Sequence, residues 1–197
     1  TGRKFLHPGP GFGGSCFPKD TLALVRTAQN EKVPLRIVEA VVEVNERRKK
    51  AMADRIIAAC GGSVADRTVA VLGLTFKPNT DDMRDAPSLE IVPALVSGGA
   101  RVRAYDPEGM DEARKLLSGV EWCEDAYATM ADADVLTIIT EWNEFRLLDL
   151  KRVRKLMRRP VMVDLRNIYK PDEMVQTGFR YHSIGRETVD GTSENTK

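Results

Sequence analysis

Apolar residues recur at helical spacing in the first part of the chain. Leu22, Val25 and Ala28 share one face of a helix that the pattern predicts over residues 17–29. The stretch before it, residues 1–15, is rich in glycine and proline, which is typical of a loop. The sequence therefore predicts a loop that leads into a helix.

Pro34 opens a second helical pattern, which runs to about Cys60. At about 1.5 Å rise per residue, this helix would be roughly 40 Å long. Its two ends are apolar, whereas its middle, NERRKK (45–50), is strongly polar, and we interpret this run as a face exposed to solvent. A long helix with apolar ends is typical of an element that links two domains or pairs with another subunit.

Gly61 and Gly62 end that helix, and from residue 63 short apolar runs alternate with helical stretches. The runs predict strands over residues 68–76, 101–107, 120–124, 134–142, 161–167 and 179–185. This alternation predicts the α/β class: a long central helix followed by a doubly wound, mostly parallel, Rossmann-like sheet domain. The polar stretch that follows, RETVDGTSENTK (186–197), is predicted to fray.

Composition narrows the class of protein. The 197 residues carry a formal net charge of +1, which does not favour nucleic acid, and no apolar run is long enough to span a membrane. The three cysteines are far apart and form no CxxC, so we expect neither disulfides nor a metal site. The first residues lack the apolar core of a signal peptide, and the expected location is the cytoplasm.

Polar side chains follow the predicted strands, at the edge where open parallel sheets bind ligands. These residues are Lys77, Asn79, Asp81, Asp82, Arg84, Asp106, Glu141, Arg166 and Asn167. The first strand leads into GLTFKP rather than GxGxxG, which argues against dinucleotide binding at this turn. Lys77 and Arg166 could contact a phosphate or a ribose, or they could be ordinary surface cations.

The stretch GFGGSCFPKD (11–20) places a cysteine at the start of the first predicted helix. Free N–H groups and the helix dipole favour a thiolate at Cys16, and Lys19 adds positive charge. Asp20 follows one helical turn later and shares the face of Cys16. A nucleophilic thiol beside a carboxylate suits covalent catalysis at a carbonyl carbon, but a buried structural cysteine is the alternative. Cys60 and Cys123 lack this setting and are expected to be inert.

Several segments together resemble the UDP-glucose/GDP-mannose dehydrogenase family. KFLHPGPGFGGSCFPKD (4–20) resembles its catalytic-cysteine segment, and the helix with NERRKK resembles its central dimerisation helix. VAVLGLTFKPNTDDMRDAPS (69–88) and VDLRN (163–167) resemble motifs of its C-terminal nucleotide-sugar domain. The resemblance spans nearly the whole chain.

The resemblance implies roles for individual residues. Cys16 would be the nucleophile, and Asp20 would position or activate water. Phe5, Phe12, Gly13, Phe76, Lys77 and Arg166 would contact the nucleotide sugar, and Arg84 would reach an NAD molecule. His7 stands where some members place Lys, at a pyrophosphate contact.

The resemblance also implies an architecture. Residues 1–62 would hold the catalytic-cysteine loop and the central dimerisation segment, residues 63–190 the UDP-binding domain, and residues 191–197 a polar tail. NAD would bind mainly to an N-terminal domain absent from these 197 residues. The chain would thus supply half of an enzyme that oxidises UDP-glucose to UDP-glucuronate, and it would be inactive alone.

Two alternatives remain at this stage. GDP-mannose or UDP-N-acetylhexosamine could replace UDP-glucose, although GSCFPKD (14–20) favours UDP-glucose and PGPGF (8–12) weakly disfavours GDP-mannose. The isolated chain could also act as a nucleotide-sugar binding and dimerisation module without catalysis. The expected partners are a UDP-sugar and a second copy of the chain.

Overall fold

The computed structural model describes residues 6–192 and confirms the predicted α/β class. Its helices are α1 (Cys16–Asn30), α2 (Arg36–Ala59), α3 (Ser88–Ser97), α4 (Met110–Leu116), α5 (Ala126–Met130), α6 (Leu150–Leu156) and α7 (Pro171–Gln176). Its strands are β1 (Thr68–Leu72), β2 (Arg101–Tyr105), β3 (Val120–Trp122), β4 (Val135–Ile138), β5 (Val161–Asp164), β6 (Arg180–Ser183) and β7 (Val189–Asp190).

One seven-stranded sheet organises these elements, in the order β3-β2-β1-β4-β5-β6-β7. The first six strands in the chain pair in parallel, and β7 pairs antiparallel with β6. The chain crosses from β3 back to β4 on the other side of β1, so the connections leave both faces of the sheet covered by helices. β1, β4 and β5 are buried along their full lengths because they lie at the centre of the sheet.

Helices close the two faces of the sheet with separate apolar layers. On one face, α2 and α3 contribute Ile56, Ile91 and Leu95, all fully buried. On the other face, α5 and α7 contribute Met130 and Met174. Burial of each such side chain contributes about 1.5–3 kcal/mol, so these layers hold the sheet rigidly beneath its loops.

The long helix α2 has two different surroundings along its length. Its C-terminal half packs on the sheet, where Met52, Ala53 and Ile56 are buried. Its N-terminal half exposes apolar side chains: Ile37 is 83% exposed and Val44 is 49% exposed. The predicted pattern of apolar ends is therefore correct, but only one end is covered within residues 6–192.

Two expectations are wrong in detail. The polar run 45–50 is not simply a solvent face, because Asn45 and Lys49 are 5% and 3% exposed. These two residues continue the buried face of α2 by one turn each beyond Met52. In addition, the stretch predicted to fray contains β7, where Val189 pairs with Tyr181 of β6; residues 193–197 lie outside the described range.

Candidate functional site

A cleft of about 1310 Å³ lies at the carboxyl edge of the sheet, between this edge, α2 and the loop before α1. Its lining includes six of the residues that the sequence singled out: Phe12, Gly13, Cys16, Phe76, Lys77 and Arg166. His7, Arg36, Asn45, Arg48 and Glu141 also line it. The topology thus brings together residues that are up to about 150 positions apart in the chain, as expected for this edge of an open sheet.

A buried aspartate shapes the loop that carries Phe76 and Lys77. Asp106 follows β2 and is fully buried. Its Oδ2 accepts hydrogen bonds from the backbone N–H groups of Leu74 and Thr75, at 2.6 and 3.1 Å, and from Trp142 Nε1 at 3.1 Å. Its Oδ1 accepts from two backbone N–H groups at the start of α4. Asp106 therefore ties three strand ends together and is not available to a ligand.

Arg166 is an internal cation of the cleft and not an ordinary surface residue. Its side chain is 14% exposed, and its Nε lies 3.0 Å from Glu141 Oε2. The guanidinium donates to the carbonyl oxygens of Ile139 and Phe76, at 2.8 and 3.2 Å. Burial lowers the pKa of Arg166 from its ordinary value, and Glu141 and Asp164 oppose this effect. The guanidinium is held rigidly beside the loop after β1, so it is preorganised for an anionic or polar ligand.

The turn after β5 fixes where Arg166 emerges. Asp164, fully buried, accepts from the backbone N–H groups of Arg166 and Tyr169 and from the Tyr181 hydroxyl. Burial raises the pKa of Asp164 and these hydrogen bonds lower it, with burial the larger influence. Asn167 adopts a left-handed backbone with φ of 53° and bonds the backbone of Ile184 through both side-chain atoms. The VDLRN segment is thereby locked onto the end of β6.

The glycine-rich loop before α1 packs closely against the sheet domain. Gly14 donates its backbone N–H to the Arg84 carbonyl at 2.7 Å. Gly14 has φ of 84°, and a Cβ there would approach the Phe76 ring to 2.8 Å. A Cβ on Gly13 would overlap the Asp85 carbonyl oxygen. Glycine at these two positions is what lets the cysteine loop approach the loop after β1.

Cys16 is the first residue of α1 and is exposed, so the alternative of a buried structural cysteine is wrong. No side chain caps this helix, and the N–H groups of its first turn are free to face a ligand. Phe17, the next residue, packs edge to face on Phe12, with ring centroids 4.6 Å apart. Cys60 and Cys123 are both buried, as expected.

Two of the predicted residues, Asp20 and Arg84, lie outside the cleft. Asp20 is exposed, forms an ion pair with Lys19 at 3.4 Å and does not line the cleft. Arg84 is also exposed; it binds the Asp82 carboxylate at 2.7 Å, and this contact raises the pKa of Arg84. Phe5 lies outside the described residues.

Asn45 and Arg48 are two cleft residues that the sequence analysis did not single out. Both fall in the polar run of α2, and both hydrogen-bond the glycine-rich loop. A signal was available, because Asn45 lies at helical spacing from Met52 and Ile56, on the buried face. A polar residue in phase with a buried face requires a hydrogen-bond partner.

The sheet domain does not fit a dinucleotide. The single glycine after β1, Gly73, packs against Thr140, and a Cβ there would approach Thr140 Cβ to 2.6 Å. Asp106 lies at the end of β2, where dinucleotide-binding domains hold the ribose, but its carboxylate already accepts hydrogen bonds from within the domain.

Among residues 6–192, no three His, Cys, Asp or Glu side chains cluster in a way that would hold a metal ion. In the same range, no helix has both the length and the apolar character of a membrane span.

The doubly wound sheet and the cysteine-bearing cleft at its carboxyl edge define a class of α/β protein that binds its ligand beyond the strand ends. Sequence comparison then matches residues 70–171, just over half of the chain, to the UDP binding domain of the UDP-glucose/GDP-mannose dehydrogenase family. Residues 1–47 match the central domain of the same family. The chain belongs to the UDP-glucose/GDP-mannose dehydrogenase family.

Individual relatives agree with this assignment. A UDP-glucose 6-dehydrogenase of Rhizobium meliloti is 60% identical over 185 residues, which are 94% of this chain and 42% of that protein. The solved UDP-glucose dehydrogenase of Pyrobaculum islandicum has a TM-score of 0.73 at 39% identity, covering 84% of this chain and 37% of that one. An NDP-N-acetyl-D-galactosaminuronic acid dehydrogenase of Methanosarcina mazei has a TM-score of 0.80 at 29% identity, covering 94% and 40%. The chain thus spans about two fifths of these relatives.

Proposed function

We propose that the chain forms the cysteine-bearing and nucleotide-sugar-binding half of an NAD-dependent UDP-glucose 6-dehydrogenase, which converts UDP-glucose to UDP-glucuronate. The observation that carries this proposal is one cleft in which the exposed Cys16 thiol shares walls with Lys77 and Arg166. A nucleophile and two cations in one cleft suit a substrate with a reacting carbon and a diphosphate.

The chemistry at Cys16 follows from the two oxidation levels that separate an alcohol from a carboxylate. Once C6 reaches the aldehyde level, the thiolate sulfur adds to the carbonyl carbon, and the oxygen takes up a proton to give a thiohemiacetal. Loss of a hydride and of the hydroxyl proton gives a thioester. Water then adds to the thioester carbon, and the C–S bond breaks to release the carboxylate and regenerate the thiol.

Different parts of the cleft are proposed to contact different parts of the substrate. Lys77 and Arg166 offer positive charge to the diphosphate, and Phe76 offers an apolar surface beside them. The Lys77 Nζ lies 5.2 Å from the centre of the Phe76 ring, so the charged group and the apolar surface are adjacent. Phe12 and Gly13 offer backbone groups to the sugar, on the side where Cys16 lies. Phe5 completes the proposed contacts.

Asp20 has a more remote proposed role. It lies one helical turn after Cys16, in α1, with its carboxylate paired to Lys19. We propose that it orients the water that hydrolyses the thioester. The exposed carboxylate does not line the cleft. This role therefore requires Asp20 to leave its ion pair with Lys19 and turn toward Cys16.

NAD supplies the hydride acceptor when it is bound. The described sheet does not fit this group, so we propose that a further domain holds it. We propose that Arg84, which is exposed and whose backbone carbonyl accepts from Gly14 of the cysteine loop, faces that domain. The 197 residues alone should therefore not reduce NAD with UDP-glucose. Measurable NAD reduction by the isolated chain would contradict this part of the proposal.

We also propose a homodimer formed through α2. Its N-terminal half exposes Ile37 and Val44 on a helix that is otherwise anchored to the sheet. Sedimentation of the chain tests this dimer, and Ile37→Asp is the variant that should shift the equilibrium toward monomer.

The cytoplasm is the compartment we propose, since the three cysteines are unpaired.

Titration calorimetry tests the substrate. We expect the chain to bind UDP-glucose and UDP, and to bind GDP-mannose at least about tenfold more weakly. A folded chain that gives no heat with UDP-glucose would remove the proposed function. Equal or tighter binding of GDP-mannose or of UDP-N-acetylglucosamine would transfer the proposal to the family members that act on those sugars.

Variants of the two cations test where the nucleotide binds. Lys77→Ala should weaken UDP binding without affecting folding, because the side chain is exposed. Arg166→Ala should weaken UDP binding while the chain remains folded. It also removes the hydrogen bonds to the carbonyl oxygens of Ile139 and Phe76, so a lower thermal midpoint is expected as well. Arg101→Ala, an exposed arginine at the opposite edge of the sheet, serves as the control. Unchanged affinity in both cleft variants would contradict the site.

In the full-length enzyme, Cys16→Ser should abolish complete turnover. A serine hydroxyl is a much weaker nucleophile toward the aldehyde and a poorer leaving group from the acyl intermediate. Wild-type turnover in Cys16→Ser would exclude Cys16 as the nucleophile. The remaining alternative, a binding and dimerisation module without catalysis, would then account for the chain.

A further inference from the structure

A buried asparagine on α2 holds the backbone of the cysteine loop with two hydrogen bonds. Asn45 Oδ1 accepts from the Phe12 backbone N–H at 2.8 Å, and Asn45 Nδ2 donates to the Phe12 carbonyl oxygen at 3.1 Å. Asn45 is 5% exposed. The amide thus satisfies both peptide groups of one residue, in the way that a neighbouring strand would satisfy them.

The orientation of this amide is fixed by its partner. A backbone N–H can only donate and a carbonyl oxygen can only accept, so the Asn45 oxygen and nitrogen cannot exchange places. A carboxylate in the same position would accept from the N–H but would repel the carbonyl oxygen of Phe12. An apolar side chain would satisfy neither group.

Further contacts join α2 to the residues of the loop that precede Phe12. Gly11 has φ of 132°, and a Cβ there would lie 3.0 Å from Asn45 Oδ1 and 3.0 Å from Lys49 Cγ. Arg48 Nε donates to the Gly9 carbonyl oxygen at 2.7 Å. The loop therefore lies directly on α2 over several residues, with Asn45 at the point nearest Phe12.

Packing alone does not require an asparagine here. A leucine or methionine would fill the same helix face, but it would leave the Phe12 N–H and carbonyl oxygen without these partners. What the amide provides is a fixed position for one peptide unit in a loop that has no regular secondary structure of its own. Cys16 follows four residues after Phe12, at the start of α1.

We propose that Asn45 is a positioning residue for the reaction: it fixes the Phe12 backbone, and through it places Gly13 and Cys16 against the sugar of the substrate. This inference rests on the proposed function, because it uses the assignment of the loop to the sugar. It adds that the long helix determines the geometry of the cysteine loop. Asn45 itself acts through Phe12 and does not touch the reacting carbon.

Two variants and one control test the proposal in the 197-residue chain. Asn45→Ala removes both hydrogen bonds, and Asn45→Asp keeps the acceptor while losing the donor. Arg47→Ala is the matched control, because the Arg47 side chain lies in the same polar run and is 70% exposed. Thermal midpoints of all variants report whether the sheet domain remains folded.

The first measurement is amide hydrogen exchange, which does not depend on any ligand. We expect exchange of the segment 9–15 to become about tenfold faster in Asn45→Ala and less so in Asn45→Asp, with β1 and β4 as protected as in the wild type. Arg47→Ala should match the wild type. Unchanged exchange of this segment in both Asn45 variants would overturn the proposal.

The second measurement compares the affinities for UDP-glucose and UDP. Asn45→Ala should weaken UDP-glucose binding about tenfold, while UDP binding, which depends on Lys77 and Arg166, changes less than about threefold. Equal weakening of both ligands would indicate a merely structural role and would also overturn the proposal. If the wild-type chain binds neither ligand, the proposed function fails, and the exchange experiment still decides whether Asn45 holds the loop.

Discussion

The three cysteines show how strongly a side chain's surroundings determine its chemistry. Cys60 ends α2 beneath the sheet, where burial raises the pKa of its thiol to about 11, with Asp134 adding to the effect. Cys123 is buried beside β3. Cys16 alone is exposed, at a helix N-terminus. Residue type and helix position allowed Cys16 to be singled out from the sequence.

Thiol titration with a disulfide reagent at neutral pH tests this difference. We expect one reactive thiol per folded chain and three after unfolding, because Cys60 and Cys123 are inaccessible in the folded state. Cys16→Ser should leave close to none in the folded state. Two or three fast thiols in the folded wild-type chain would contradict the structure.

Gly13 allows a second prediction for a single residue. A Cβ at position 13 would overlap the Asp85 carbonyl oxygen and lie 3.1 Å from Phe76 Cβ, so Gly13→Ala must displace the cysteine loop. We expect UDP-glucose affinity to fall about tenfold with little change in thermal midpoint, because the loop lies outside the apolar layers.

Gly62→Ala is the contrasting control for Gly13→Ala. Gly62 has φ of 94° with open space around it, in the turn after α2 and away from the cleft. Alanine there should lower the thermal midpoint and leave affinity unchanged. The opposite pattern in the two variants would show that the close approach at Gly13 has no role in the site.

At the scale of elements, the alternation of strands and helices and the rule on strand ends predicted most of the architecture. That rule placed Lys77 and Arg166 at one edge of the sheet, and the structure brings them into one cleft with Phe76, which only the family resemblance had named. It also selected Asp106, which instead faces inward. Sequence position shows which end of a strand a residue occupies, whereas hydrogen-bond partners from other strands decide which way its side chain turns.

The helix α2 was harder to predict for a related reason. Charged neighbours conceal Asn45, because Glu46, Arg47 and Lys50 are exposed while Asn45 and Lys49 are not. Only the helical phase relative to Met52 separates the two sets. The hydrogen bonds to Phe12 and Gly9 come from a loop more than 30 residues earlier, and no local pattern encodes them.

Asp106 is the residue through which the loops after β1, β2 and β4 are joined, and its removal should destabilise all three. Asp106→Ala leaves several buried N–H groups without acceptors, and we expect a loss of about 3 kcal/mol in the free energy of unfolding, since each such group costs about 1–3 kcal/mol. Urea unfolding measures this loss. Asp111→Ala, whose carboxylate is 89% exposed in α4, should change stability by less than about 0.5 kcal/mol.

At the scale of the whole molecule, buried acidic groups determine the response to alkaline pH. Burial raises the pKa of Cys60 from 9.0 to about 11 and that of Tyr105 from 10.0 to about 12. Burial raises the pKa of Tyr169 and Tyr181 as well. In the window from about pH 9 to 12 the unfolded chain loses these protons first, so the folded chain binds more protons and loses stability as pH rises.

The free energy of unfolding should therefore fall between pH 8 and pH 10.5. Cys60 accounts for about 2 kcal/mol of this fall, because one pKa unit corresponds to about 1.4 kcal/mol. Urea unfolding of Cys60→Ala at the two pH values isolates this contribution. Between these pH values, the free energy of unfolding of Cys60→Ala should fall about 2 kcal/mol less than that of the wild type. An equal fall in both proteins would show that Cys60 has no such shift.

The two-residue strand β7 has a consequence for how the molecule behaves in concentrated solution. It covers the outer side of β6, where Tyr181 pairs with Val189 and Arg180 with Asp190. The opposite border of the sheet, β3, has only three residues and carries Glu121. Both borders are therefore short and charged, and they offer little template for the strands of another copy. Without β7, the N–H and C=O groups of β6 would be open to strand exchange and aggregation.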